Sequence, residues 1–212
     1  MNLLQKIREV LEAEPNENQL DKFLADLRDS LAASNKQFLS LNLLALTAAV
    51  VYHLVVFEGV AIASFEGLPL AGSSLVQKVF LVVPAALLAA ASGVGYLRRC
   101  QREAYDYLSI SRYRVLGKTG LHELRLPSDY ILGLFYLKTQ GGPVGVVLSF
   151  VVMFLVAAVF TVLPVVYVVR AAALSLARYG AEDLFALSGA VVAVLLATSA
   201  LLIAVFASRI RA

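Results

Sequence analysis

The chain has 212 residues, 60% of them hydrophobic and only 16% charged, with a mean hydropathy of +0.80. Soluble globular domains carry apolar residues at about 45–50%, so this composition excludes a water-soluble fold and makes a bilayer the solvent. The single cysteine, Cys100, excludes an internal disulfide framework.

The first 37 residues are charged and periodic, with no apolar run ahead of a small-residue cleavage site, so no cleavable signal peptide is expected. They read as two short amphipathic helices: Leu3, Leu4, Ile7, Val10 and Leu11 share one face, and Leu20, Phe23, Leu24, Leu27 and Leu31 share another, with Pro15 to Asn18 between them. The second helix has no stop signal before the first apolar run. An apolar stripe in water must be covered, so these faces are expected to pack on each other, on the membrane surface or on a partner.

Four apolar segments reach the length of about 20 residues that roughly 30 Å of hydrocarbon requires: Phe38 to Phe57, Val76 to Leu97, Val144 to Val169 and Leu184 to Ala207. The fold class is therefore all-α, a polytopic membrane protein with four transmembrane helices. Residues 1–37 form a helical head, 38–97 and 144–207 two transmembrane hairpins, 98–143 a basic loop or helical arm, and 208–212 a tail. The only charge inside the four limits is Lys78, close enough to a helix end to snorkel into the headgroups.

Orientation follows the Lys and Arg near the span ends. The arm holds Arg98, Arg99, Arg102, Arg112, Arg114, Lys118, Arg125 and Lys138, the head and tail are also basic, and the Glu58 to Leu75 loop has no Lys or Arg. Both termini and the arm are thus expected in the cytoplasm, with the protein in the plasma (inner) membrane. Arg98, Arg99 and Arg102 stand where anionic lipid headgroups would meet them. After Tyr96 the second span continues in good helix formers as far as Gly117, so a long helix is expected to run into the arm. Ser128 is placed to cap a further short apolar helix, too short to span.

Motifs for chemistry fail on inspection. Gly117-Lys118-Thr119 has Arg112 where a phosphate-binding loop needs glycine, and His122-Glu123 has Leu126 where a zinc-protease helix needs its second histidine. No Asp or Glu lies in any span, and His53 is the sole histidine in one. No enzyme, cofactor, metal site or direct nucleic-acid binding is expected.

The last span carries Ala186, Ala190, Ala193, Ala197, Ala200, Ala204 and Ala207 at alternating steps of four and three, a seam of small residues that lets backbones approach closely. Pro84 and Pro164 are expected to kink the second and third spans at similar depth. Together with His53, Glu58 and Glu66 they mark a candidate outer mouth.

Two functions compete. The first is a non-enzymatic, self-associating membrane subunit that serves as sensor, anchor or regulator for a cytoplasmic protein. The second is a homo-oligomeric ion channel, with the acidic loop residues attracting cations.

Overall fold

The computed structural model describes residues 17–58, 64–65, 68–69, 74–112 and 142–209, together with Glu9. In chain order these form α1 (Glu17–Val56), a pair of two-residue strands β1 (Ser64–Phe65) and β2 (Leu68–Pro69), and α2 (Ser74–Val79). There follow α3 (Val82–Arg112), α4 (Gly142–Ala157), a π-helical turn (Ala158–Val162), α5 (Leu163–Tyr179) and α6 (Leu184–Arg209). The strands pair antiparallel, with Ser64 opposite Pro69 and Phe65 opposite Leu68. Four helical stretches are long and apolar enough to cross a membrane: Asn18–Val56, Leu75–Ser111, Ala158–Tyr179 and Leu184–Phe206. The expected helix at Leu3 to Leu11, residue Glu66, the arm beyond Arg112 with its helix after Ser128, and Arg211 lie outside the described residues.

The two hydrophobic periods at Leu20–Leu31 and Phe38–Phe57 belong to one helix. No glycine or proline falls between Glu17 and Val56, and helix propagation needs none of the apolar pattern to continue once each residue adds its own bond. With 40 residues, α1 is about 60 Å long, twice the hydrocarbon thickness. For the same reason α3 runs 31 residues and carries the second span on through Arg98, Arg99 and Arg102.

The prolines shape the helices differently. Proline cannot donate to the carbonyl four residues back. Behind Pro84 that carbonyl is Phe80, and Val83 N donates to it instead at 3.0 Å. The helix is therefore interrupted at Phe80–Leu81, and Pro84 sits in the first turn of α3. Pro164 stands in the first turn of α5, immediately after the π-helical turn, a wide turn of the kind that relieves such a clash. The third span also differs from its expected end at Val169. It continues to Tyr179, taking in Arg170 and Arg178, and stops at Gly180, whose φ of 88° only glycine adopts without strain and whose N–H closes on Leu176 O at 2.9 Å.

The described chain divides into two compact units. In the first, Leu20, Leu24 and Leu31 of α1 and Tyr105 and Leu108 of α3 form a buried cluster, with Leu27, Ala104 and Tyr107 packed against it. The 20, 24, 27, 31 spacing thus does cover one face, but Phe23, expected on that face, is exposed. Gln101 Nε2 donates to Ser30 Oγ at 2.8 Å across the pair. In α4, Gly145 and Ser149 are buried while Val144, Val147, Phe150 and Phe154 are exposed.

The second unit has its core at Ala48, Tyr52, Val55 and Val56 of α1, Phe80, Leu81 and Ala85 around the start of α3, Val168, Ala171 and Ala172 of α5, and Ala190, Ala193 and Ala197 of α6. Small residues face inward. Val191, Leu195, Leu202 and Phe206 of α6 face outward, as expected where lipid tails offer large apolar side chains an equivalent environment and close backbone approach decides the contact.

The closest approach is at Gly189. A Cβ built there lies 2.9 Å from the Lys78 carbonyl oxygen and 3.3 Å from Val79 Cα, both backbone atoms that have no rotamer with which to yield. Gly93 in α3 has open space instead. Replacing a mid-helix glycine by alanine ordinarily gains up to about 1 kcal/mol. Gly93→Ala is expected to raise the melting temperature in detergent, whereas Gly189→Ala lowers it, by an overpacking cost of about 1–3 kcal/mol; equal responses would remove the close approach as an explanation.

Candidate functional site

The polar side chains of the second unit gather around the ends of α1, α5 and α6, and each is placed by its helix. Asp183 is the residue before α6, where an oxygen acceptor can cover the unpaired N–H groups of the first turn. Its Oδ1 accepts from Ala186 N at 3.0 Å and Phe185 N at 3.1 Å. Its Oδ2 accepts from Lys78 Nζ at 2.5 Å, and both side chains are about four-fifths buried. Lys78 also lies over the Tyr179 ring, 5.5 Å from its centroid, and Arg178 stands 5.7 Å from the same ring. Lys78 is thus not a snorkelling residue: it is neutralised within the chain by a carboxylate that also starts the last helix.

His53 and Glu58 come together, His53 Nε2 lying 3.7 Å from Glu58 Oε1, both well exposed. The imidazole packs among Phe57 and Tyr167, with centroid distances of 5.4 and 6.2 Å. Tyr167 in turn donates its hydroxyl to Ala49 O of α1 at 2.9 Å. Glu66, the third member of the expected mouth, lies outside the described residues. Pro84 is ten residues from the start of α2, and Pro164 is fifteen from the end of α5.

Of the alanine seam, Ala186, Ala190, Ala193, Ala197 and Ala200 are all buried inside the chain. Ala204 is half-buried, and the Ala207 side chain lies outside the described ones. Over most of its length the seam is occupied by the chain's own helices and is not an open face for a second subunit. Arg98, Arg99 and Arg102 are half-buried, and Arg102 Nε lies 3.8 Å from Asp106 Oδ2 one turn on. Among the described residues no three His, Cys, Asp or Glu side chains are grouped to hold a metal ion.

The sequence reading passed over Asp183, Ser175, Tyr179 and Gly189. Asp183 carried a signal, because an Asp directly ahead of an apolar helical run is a cap. The others become visible only when the helices are assembled. No family model matches this chain, and no curated protein or solved structure does so either.

The Lys78 ammonium, donating to the carboxylate, and the Ala186 N–H together hold Asp183 below the usual carboxylate range. A carboxyl depressed in the folded state adds stability that is present above its unfolded pKa and is lost as pH falls through the lowered folded value. Melting temperature is therefore expected to fall as the protein is taken from neutral into strongly acidic buffer. Lys78→Met lowers the neutral value and flattens that acid-side decline; an unchanged pH profile in the variant would dismiss the pair as its source.

Proposed function

We propose that this protein is a non-enzymatic membrane subunit. Its four spans anchor it in the plasma (inner) membrane, with both termini in the cytoplasm, where residues 17–37 and 94–112 form a helical platform for a soluble protein. The observation that carries this is the separate core of that first unit. Leu20, Leu24, Leu31, Tyr105 and Leu108 bury themselves between two helices longer than a bilayer needs, and the exposed positions of α1 there include Lys22, Asp26, Arg28 and Asp29 beside Phe23. The charged positions suit water on that face of α1. The basic residues Arg98, Arg99 and Arg102, set where the helix would leave the hydrocarbon, would draw the anionic headgroups of the cytoplasmic leaflet at about 1 kcal/mol per charge.

Self-association is not required for that role, and the seam that suggested it is filled within the chain. The channel reading has less behind it. Tyr52, Phe80 and Leu81 occupy the centre of the second unit, and Lys78 and Asp183 neutralise each other at its polar end.

Cys100, the one cysteine, makes the orientation testable in membrane vesicles with an impermeant maleimide. Cys100 is expected to react from the cytoplasmic face alone, and Glu182→Cys in a Cys100→Ser background from the opposite face alone; the reverse pattern would invert the topology and remove the platform from the cytoplasm. Leu24→Ala is expected to loosen the platform by about 2–5 kcal/mol, read as faster proteolysis of the 17–37 segment while the spans remain folded.

A further inference from the structure

Three hydroxyl groups in the second unit are buried without a hydrogen-bond partner. Tyr52 of α1 is fully buried, Ser175 of α5 is 1% exposed, and the Tyr179 hydroxyl is buried although its ring edge is not. Ser175 and Tyr179 are four residues apart and share one face of α5. The Tyr52 hydroxyl is close enough to Ser175 for the two to interact and is within electrostatic range of Tyr179, but the Tyr52–Ser175 contact falls short of hydrogen-bond geometry, and none of the three hydroxyl oxygens has a protein partner that meets it.

Their neighbours show what these groups forgo. A serine or threonine inside a helix usually turns its hydroxyl back onto a carbonyl of the preceding turn. Thr47 does so to Leu43 O, Thr198 to Val194 O and Ser199 to Leu196 O, at 2.7–2.9 Å. Ser175 does not, and its hydroxyl is spent on the interior instead. Tyrosine in the same helix pair can also reach a carbonyl: Tyr167 does, at Ala49. Tyr52 is kept from doing so by its ring, stacked on Phe80 at 6.3 Å and met edge-on by Phe57 at 5.8 Å.

Buried polar groups in folded proteins are almost always paired, with ordered water taking the place of a missing protein partner. We propose that Tyr52, Ser175 and Tyr179 form a binding site for a single water molecule that ties α1 to α5. Water both accepts and donates, so it satisfies three hydroxyls at once. An anion accepts only, and it would bring a charge into a site whose neighbouring cations do not answer it: Lys78 is already neutralised by Asp183, and Arg178 is exposed. Desolvating that charge without a buried counter-ion is the larger cost, which selects water.

The sign of the stability change tests the site. An orphaned hydroxyl in a dry interior is a burden, and its removal stabilises; a hydroxyl holding a shared water is a support, and its removal destabilises. Tyr52→Phe, Ser175→Ala and Tyr179→Phe are compared in detergent, with Tyr167→Phe as the reference for loss of a direct hydrogen bond. Each of the three is expected to lower the melting temperature by about 2–4 °C, and the Tyr52→Phe/Ser175→Ala double variant to lose no more than the larger single, because the first removal already releases the water. Melting temperatures that rise or do not move would overturn the proposal, as would singles whose losses simply add. A melting temperature that climbs with chloride over gluconate at equal ionic strength would overturn it in favour of an anion.

Discussion

The second unit depends on how closely the backbones of α6 and of the Lys78–Val79 turn can approach. In water, burying a leucine against another element is itself favourable; between helices in lipid it gains little, and what remains is dispersion at short range and the few polar contacts that short range permits. Gly189 and the alanines at 186, 190, 193, 197 and 200 supply the short range. The Lys78–Asp183 pair is its polar counterpart, because the ammonium reaches the carboxylate only when α6 begins directly beside α2. One residue thereby caps a helix, neutralises a cation and fixes which end of α6 meets the start of the second span.

The first unit follows the opposite logic. The buried cluster between α1 and α3 is leucine and tyrosine, with Ala104 packed against it. Large side chains, not close backbone approach, make up that contact. A single helix, α1, carries both kinds of surface in succession: a leucine stripe over its first turns, then Ala45, Ala48 and Tyr52. The interface chemistry thus changes along one helix without a break in secondary structure.

Much of this was legible in the residues. Hydrophobic length alone gave four spans, because a helix in lipid must satisfy its own backbone and so reads as an unbroken apolar run. The inward face of α6 was legible because the alanines keep a strict period. What it packs against was not, since a small-residue stripe has the same pattern whether its partner is the same chain or another. The third helix runs on past Val169 through Arg170 to Tyr179. A charge does not stop a helix; Gly180 does. The partner of Lys78 and the meeting of Tyr52 with Ser175 and Tyr179 left no local trace, being properties of assembled helices and not of any window of sequence.

The Lys78–Asp183 contact joins positions 105 residues apart. A ribosome delivers the chain from its N-terminus, so α1, α2 and α3 are made before the carboxylate that pairs with Lys78. Asp183 supplies the counter-charge, and the same helix sets Gly189 against the carbonyl of Lys78. The start of α6 is thus a latch, and a chain that stops short of residue 183 lacks the carboxylate that neutralises Lys78.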